Sequence, residues 1–441
     1  MASVLLVNAP VGDAELGSHA ALHPPLGLAY IGAVLRERGH TVSARDLNVT
    51  GMNPAVIERA VKRSDADFIG ISAHTESYPN ALEIARTAAQ TNSDLTVLLG
   101  GAHASVNDEV AAQEDPIDFV VRGEGERTTA ALIDAITDSN DPNDVDGITF
   151  ERDGGTVRTP DRPYIQHPDA LPFPARDLFP LDLYQQPGNM LFSRGGCPFQ
   201  CHFCAVNSIW GDGTRRYRSV GNVIEEVRHL VEQHGVRQIN FADDTFTLRR
   251  DKTEKLMAEL VTLDLGRPWD FTCSTRVDLV DEDLLNTLAE AGCSGIQFGV
   301  EAGSQEILDS IGKKISLAEA EDAIGTAVDL DMDVLASFMF PHPEDTAATI
   351  RQQADFMRDV KDRGASISLA FTTPYPGTVY DEYVSNGEIS VRADSWEEYD
   401  AKHLMIDTRN LTFAELEALR DELIEISGLK KRSSRAATTS P

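Results

Sequence analysis

The sequence lacks any hydrophobic run long enough to cross a membrane, since none approaches the roughly 18 to 20 apolar residues that a bilayer requires. It also lacks the basic start of a signal peptide. The opening segment MASVLLVNAP is too short for one and predicts a buried strand. We therefore expect no membrane span and a cytoplasmic location.

Basic residues are scarce, with 39 Lys and Arg against 71 Asp and Glu and a net charge of -32. Proteins that bind nucleic acid depend largely on basic side chains to neutralise phosphates. We therefore expect no nucleic-acid partner. A carboxylate-rich, lysine-poor surface instead favours solubility.

Cysteine is also rare, and residues 1–196 contain none. Three of the five cysteines, Cys197, Cys201 and Cys204, lie within the segment SRGGCPFQCHFCAVNS. In a reducing cytoplasm such a tight group indicates a metal or catalytic site rather than disulfides. A structural zinc site would need a fourth ligand, and His202 is poorly placed to supply it. A four-iron cluster held by three thiolates would instead leave one iron open. Spacing alone leaves both kinds of site open.

The first part of the chain alternates short Val/Ile/Leu-rich runs with helical patterns. This alternation predicts an α/β fold in which residues 1–145 form a doubly wound, Rossmann-like parallel sheet. Such a sheet binds its ligand beyond the carboxyl ends of the strands, where glycines recur in this sequence. The candidate binding residues at these strand ends are Ser72, Ala73, Gly100, Gly101, His103, Gly123, Glu124 and Gly125.

The rest of the chain divides into a proline-rich linker, a second series of strands and a helical end. We predict an ordered linker over 146–188 and a partial (β/α)6 TIM-like barrel over 189–385. A small helical region with a disordered tail should occupy 386–441. The cysteine group follows the first barrel strand, at the end where barrel enzymes carry their chemistry.

Polar residues occupy the next three strand ends of this predicted barrel. They are Asp243 and Asp244, then Ser274 and Arg276, then Gln297 and Glu301. A carboxylate at Asp244 or Glu301 can accept from an ammonium group or a ribose hydroxyl, and Arg276 can pair with a carboxylate through two bonds. An ordinary polar network of the barrel would account for the same residues.

The cysteine loop, with an aromatic residue before its last cysteine, resembles that of the radical S-adenosylmethionine (SAM) enzymes. The later segments FADDTF, STRVD and GIQFGVEAGSQE extend the resemblance over about 189–380. The resemblance implies that the three cysteines hold a [4Fe-4S] cluster whose open iron binds SAM. It also implies that the polar strand-end residues contact SAM and that an external donor of the flavodoxin or ferredoxin type supplies electrons.

The N-terminal segments PPLGLAYIGAVLRERGH, GISAH, GGAHA and VRGEGE resemble the cobalamin-binding subfamily of these enzymes, which extends the resemblance to about 1–380. Cobalamin would then contact the strand-end residues named above. The Asp-x-His-x-x-Gly motif that supplies a histidine to cobalt elsewhere is absent, since neither His40 nor His74 stands in that context. Members of the subfamily commonly lack it too.

The resemblance implies that the reduced cluster cleaves SAM to a 5'-deoxyadenosyl radical, and that methylcobalamin methylates an unactivated carbon of a small-molecule or lipid-like metabolite. Trp210, Tyr217 and Tyr375 are candidate walls of the substrate pocket. Cyclisation, rearrangement or oxidation without methyl transfer is the alternative. A tRNA methylthiotransferase is disfavoured by the acidic charge and the cysteine-free N-terminal part. A zinc-bearing scaffold protein is the hypothesis outside enzymes.

Overall fold

The computed structural model of the protein describes residues 1–12, 22–211 and 213–428. The predicted disordered segment KKRSSRAATTSP, residues 430–441, lies outside these ranges. Within them, no helix is both long enough and apolar enough to cross a membrane.

The N-terminal unit, residues 1–158, contains a seven-stranded sheet with the strand order β2-β1-β3-β4-β5-β6-β7. Its strands are β1 (Ser3–Asn8), β2 (Thr41–Asp46), β3 (Phe68–Ser72), β4 (Thr96–Gly100), β5 (Phe119–Val121), β6 (Ile148–Arg152) and β7 (Gly155–Arg158). Its helices are α1 (Leu26–Glu37), α2 (Leu47–Thr50), α3 (Pro54–Ser64), α4 (Tyr78–Thr91), α5 (Ala102–Val106), α6 (Asp108–Ala112) and α7 (Gly125–Thr137).

Strands β1 to β5 are parallel and are covered by helices on both faces. One apolar core packs α3 and α4 on one face, and a second packs α1 and α7 on the other. Burial on both faces explains the continuous Val/Leu/Ile runs in the sequence. The doubly wound fold is confirmed. Because strand order reverses between β1 and β3, a ligand is expected near the carboxyl ends of these strands.

The sheet extends into the segment that the sequence predicts as linker. Strands β6 and β7 form an antiparallel hairpin that adds to β5. Asp153 and Gly154 turn the chain with positive φ angles of 52° and 79°, as tight hairpins require. The outer strand β7 is largely exposed and lacks alternating hydrophobicity, so its sequence carries little strand signal.

The linker beyond the hairpin is held by a buried ion triad. Arg176, 1% exposed, pairs with the fully buried Glu226 at 2.6 Å and donates to the backbone oxygen of Asn189 at 2.7 Å. Arg218 pairs with the other oxygen of Glu226. Removing one member of such a buried group typically costs about 3 to 5 kcal/mol, since it leaves a charge unpaired. The triad therefore fixes where the linker meets the second unit.

The second unit is an open, fully parallel six-stranded sheet with the order β15-β14-β13-β12-β11-β8. Its strands are β8 (Gly188–Met190), β11 (Gln238–Phe241), β12 (Asp270–Thr275), β13 (Cys293–Glu301), β14 (Asp333–Phe340) and β15 (Ser366–Phe371), and a separate hairpin pairs β9 (Ser193–Gly195) with β10 (Arg215–Tyr217). The helices are α8 (Val206–Trp210), α9 (Val220–Gln233), α10 (Arg250–Val261), α11 (Glu282–Glu290), α12 (Gln305–Ser310), α13 (Leu317–Asp329), α14 (Ala347–Asp362), α15 (Val379–Ser385) and α16 (Phe413–Ser427).

Strands that are adjacent in this sheet follow one another in chain order. From β11 onward, a helix connects each strand to the next. The predicted partial barrel is confirmed. Helix starts match sequence signals: the Ser219 side chain caps α9, Asp281 caps α11 and Ser316 forms a capping box with Glu319 at α13. The precise domain boundaries stay predictions.

Candidate functional site

The cysteine loop leaves β9 through Gly195, which has a φ of +116°. A Cβ atom there would lie 2.2 Å from the backbone oxygen of Thr214, so only glycine fits. The side chain of Asn207 accepts from the Cys197 amide at 3.0 Å and donates to the Phe199 carbonyl at 2.8 Å. These contacts fix the loop from both of its ends.

The three cysteines of this loop are half-buried and form no disulfide. Burial raises the pKa of Cys201, partly offset by nearby Lys313 and Arg276, and raises the pKa of Cys204 to about 11. Thiolates in this loop therefore need a cationic partner. No group of three or more Cys, His, Asp or Glu side chains in the described part of the chain meets the geometry of a single metal ion.

Arg276 packs directly on the cysteine loop. Its guanidinium lies 3.7 Å from the centre of the Phe199 ring, and one nitrogen lies 3.8 Å from the Cys201 sulfur. The remaining donors bind the Asp278 carboxylate at 2.8 and 2.9 Å and the Lys313 carbonyl at 2.7 Å. The two-pronged pairing that we predict with a ligand carboxylate is thus already made with Asp278. Here Arg276 supports the loop.

Glu301 also has a partner within the chain. Its carboxylate pairs with the Lys313 ammonium at 2.9 Å, and both side chains are largely buried. Its backbone has a φ of +76°, and its carbonyl lies 3.1 Å from Nε2 of the buried His342, whose Nδ1 contacts the Tyr380 hydroxyl at 2.9 Å. No sequence pattern marks Lys313 as a partner of Glu301, because two adjacent lysines in a turn have no diagnostic spacing.

The two adjacent aspartates after β11 differ in their surroundings. Asp243 is buried, and it accepts from the amides of Phe192 and Ser193 at 2.8 and 2.7 Å and from the Ser193 hydroxyl. Burial raises its pKa. Asp244 has a side chain that is 45% exposed and contacts Arg215 at 3.4 Å. Asp243 therefore positions β9, and Asp244 keeps oxygens open to a ligand.

Ser274 and Gln297 lie directly opposite each other on β12 and β13. Gln297 is exposed and donates to the Ser337 hydroxyl at 2.8 Å. These side chains form a polar row across β12, β13 and β14. Among the six candidates of the barrel, the side chains of Asp244, Ser274 and Gln297 keep polar atoms that could bind a ligand.

A cavity of about 170 Å³, open to solvent, lies at the carboxyl ends of the strands of the N-terminal sheet. Six of the eight candidates of this sheet line it: Ser72, Gly100, Gly101, Gly123, Glu124 and Gly125. Apolar side chains complete most of the wall, including Leu6, Leu28, Ile31, Leu98, Leu99 and Val121. Gly101 comes so close to the neighbouring strand end that a Cβ would lie 2.4 Å from the Ala73 oxygen. The cavity suits a large, mostly apolar ligand held by backbone.

Ala73 and His103 do not line this cavity. Ala73 is fully buried, and His103 turns its ring toward Tyr78, 4.2 Å between centroids, and Trp396, 5.0 Å. The imidazole Nδ1 contacts the Thr75 hydroxyl at 3.2 Å. The sequence does not distinguish His103 from its cavity-lining neighbours, because the helical turn that rotates it away begins at Ala102.

Burial of His103 predicts a specific loss of stability in acid. It lowers the pKa of this imidazole to about 4. The unfolded chain takes up the proton near pH 6.5 but the folded protein does not, so the free energy of unfolding should fall by up to about 3 kcal/mol as pH decreases from about 6.5 to 4. His103→Phe, which keeps the ring contacts, should remove this part of the pH dependence in chemical denaturation. An equally steep fall in the variant would contradict the prediction.

The hairpin β9–β10 joins the cavity to the cysteine loop. On one face, Arg194 pairs with Glu126 and Arg216 pairs with Glu124 at 2.9 Å, both carboxylates belonging to the N-terminal unit. On the other face, Ser193 and Arg215 contact the aspartates of the barrel. Alternation of side chains along a strand explains these two faces.

Trp210, at the end of α8, also lines the cavity and lies 6.2 Å from Tyr164. The other two predicted pocket aromatics do not line it. Tyr217 packs edge-on against Phe192, 5.2 Å between centroids. Tyr375 is largely buried, and burial raises its pKa.

Both units match known families. Residues 193–357 match the Radical SAM superfamily, and residues 16–133 match the B12 binding domain. An uncharacterized methyltransferase of Pyrococcus horikoshii is 32% identical over 420 residues, which cover 94% of this chain and 90% of that protein. The chain belongs to the cobalamin-binding radical SAM family. The resemblance seen in the sequence is confirmed.

Two further relatives extend this family assignment. The anaerobic magnesium-protoporphyrin IX monomethyl ester cyclase of Rubrivivax gelatinosus is 30% identical over 377 residues, which cover 83% of this chain and 66% of the cyclase. The radical SAM methyltransferase TsrM of Kitasatospora setae, solved with cobalamin and a [4Fe-4S] cluster, has a TM-score of 0.76 and 18% identity, over 95% of this chain and 91% of TsrM. The likeness to TsrM shows the shared fold.

As a member of this family, the chain is an enzyme whose cofactors are a [4Fe-4S] cluster, SAM and cobalamin. Its residues fit them. Cys197, Cys201 and Cys204 would hold the cluster, because they are three free, half-buried thiols on one short loop. The glycine-edged apolar cavity would hold part of the corrinoid. The assignment of individual contacts stays a prediction.

Proposed function

We propose that this enzyme methylates an unactivated carbon of a small-molecule or lipid-like metabolite. One observation carries the proposal: the segment with the cysteines contributes to the wall of the cobalamin cavity at both ends. Arg194, three residues before Cys197, and Trp210, six residues after Cys204, both line that cavity. When bound, the cluster supplies the electron that cleaves SAM to a 5'-deoxyadenosyl radical, and cobalamin supplies the methyl group. A shared wall supports the use of both cofactors on one substrate.

The residues of the chain contribute binding, orientation and exclusion of water. The apolar cavity wall keeps water from one side of the reaction space. Asp244, Ser274 and Gln297 present acceptors and donors for the amino acid and ribose parts of SAM. Arg276 holds the cysteine loop through its contacts with Phe199 and Cys201.

Isotope labelling tests the proposal. Protein reconstituted without oxygen, with iron, sulfide and cobalamin, is incubated with cell extract, a strong reductant and SAM that carries a deuterated methyl group. We expect 5'-deoxyadenosine, S-adenosylhomocysteine and one metabolite that gains the label. Formation of 5'-deoxyadenosine with neither S-adenosylhomocysteine nor labelled product would overturn methyl transfer.

The cyclase relative favours one alternative, a radical cyclisation or oxidation without methyl transfer. The same incubation distinguishes it. A cyclised or oxidised metabolite would change in mass by loss of hydrogen or gain of oxygen, with no deuterium from SAM.

We also propose a cytoplasmic location, which the free thiols of the described chain support. The electron donor that we propose is of the flavodoxin or ferredoxin type.

A further inference from the structure

The wall of the cobalamin cavity contains a buried ion pair between the two units. Glu126, in the first turn of α7, is paired with Arg194 on β9, and both side chains line the cavity. Glu126 is 2% exposed and Arg194 is 8% exposed. Arg194 is the single basic residue among the described residues that line this cavity.

This ion pair leaves hydrogen-bonding groups unused on both sides. The second carboxylate oxygen of Glu126 has no hydrogen-bond partner within the described chain, and neither has Nη1 of Arg194. Both atoms are buried from solvent. A buried polar group without a partner costs about 1 to 3 kcal/mol, and more when it is charged. A ligand that supplies an acceptor and a donor together would remove both costs.

The surroundings limit what that ligand group can be. A second carboxylate, Glu124, is engaged by Arg216 at 2.9 Å and by the Ile165 amide at 2.6 Å, and it lies 3.6 Å from Nε of Arg194. A second carboxylate at Glu126 and Arg194 would meet the free carboxylate oxygen, and an ammonium group would meet the guanidinium. A neutral carboxamide satisfies both, because its carbonyl accepts from Arg194 and its NH₂ group donates to Glu126.

We propose that Glu126 and Arg194 form a carboxamide-binding subsite that recognises an amide side chain at the edge of the corrinoid. The corrin ring carries several primary amides, and the subsite lines the same cavity as the glycine-rich strand ends. The subsite also connects cofactor binding to the cysteine loop, since Arg194 stands three residues before Cys197. The inference depends on cobalamin binding and is independent of methyl transfer.

Binding of cobalamin to the reconstituted full chain, without SAM or substrate, tests the subsite. By equilibrium dialysis, Arg194→Gln should weaken cobalamin binding about 10- to 100-fold, as expected for loss of a hydrogen bond to a charged donor. Arg218→Gln is the matched control, because Arg218 is equally buried and also pairs with a glutamate, Glu226, and neither residue lines the cavity. This variant should bind cobalamin within about threefold of the parent. Iron content should match the parent in both variants.

Replacement of one cobalamin amide by a carboxylate tests Glu126, the hydrogen-bond acceptor of the subsite. Cobalamin derivatives in which one amide is hydrolysed to a carboxylate should include one that the parent binds about 10- to 100-fold more weakly than cobalamin. Glu126→Gln replaces the carboxylate by an amide that can donate, so it should bind that derivative more tightly than the parent does. This variant keeps the size of the side chain and remains informative if Arg194→Gln fails to fold.

Two results would overturn the proposal. One is that Arg194→Gln and Arg218→Gln weaken cobalamin binding equally. The other is that Glu126→Gln discriminates among the derivatives as the parent does. Failure of methyl transfer in the labelling experiment would leave these binding measurements unaffected.

Discussion

Cys201→Ala should abolish SAM cleavage and leave cobalamin bound. With three thiolates per cluster, loss of one removes a ligand that the loop cannot replace, and Arg276, which lies 3.8 Å from the Cys201 sulfur, cannot ligate iron. We expect the rate of 5'-deoxyadenosine formation to fall on the order of 1000-fold or more, as for loss of an essential catalytic group. The cavity that we propose for cobalamin does not include the three cysteines, so bound cobalamin should stay near the parent level. Iron analysis, 5'-deoxyadenosine quantification and the absorbance of bound cobalamin measure these effects.

Cys293→Ala is the matched control for this result. Cys293 is buried in the barrel core beside Cys273, away from the cysteine loop. Its replacement should lower stability by about 1 kcal/mol and keep iron content and SAM cleavage close to the parent. If Cys201→Ala makes 5'-deoxyadenosine at the parent rate, the cluster is held elsewhere.

Gly101→Ala should have the largest effect on cobalamin binding. Gly101 has φ 101° and ψ -177°, a region open almost only to glycine, and the new Cβ would lie 2.4 Å from the Ala73 oxygen and 2.8 Å from its nitrogen. This clash can be relieved only if the ends of β3 and β4, which form the edge of the cavity, move apart. We expect a loss of about 3 kcal/mol or more in the free energy of unfolding, and cobalamin binding weaker on the order of 100-fold. Chemical denaturation and equilibrium dialysis measure both.

Gly39→Ala is the control for this result, because it introduces backbone strain without crowding the cavity. Gly39 also has a positive φ, 86°, but a Cβ there would meet nothing within 4 Å, and it does not line the cavity. Its replacement should cost about 1 kcal/mol and leave cobalamin binding unchanged. Parent-like affinity in Gly101→Ala would show that this strand end does not shape the cofactor site.

The two sheets could be predicted from the sequence, because strands that are buried on both faces have continuous apolar runs. The helices between them begin at recognisable capping residues. Periodicity also placed the cysteine loop at a strand end. The exposed strand β7 was missed for the opposite reason, since its residues face solvent and carry no pattern.

The sequence could not show which polar residues are already paired within the chain and which are free to bind a ligand. Asp243 and Asp244 are neighbours in one motif, yet one caps the backbone of β9 and the other is exposed. The difference depends on how the strand end turns. Likewise, Arg194 and Glu126 are 68 positions apart, and they meet only because the two units dock. Such pairs follow from tertiary packing, which local patterns do not contain.

The hairpin β9–β10 has a consequence for the independence of the two halves. Its paired arginines, Arg194 and Arg216, would repel each other across the strands without the glutamates of the other unit. Separation of the halves into two polypeptides would leave both arginines without the carboxylates that pair with them here. Grafting the barrel half onto a foreign partner therefore requires that the partner present matching negative charges to this hairpin.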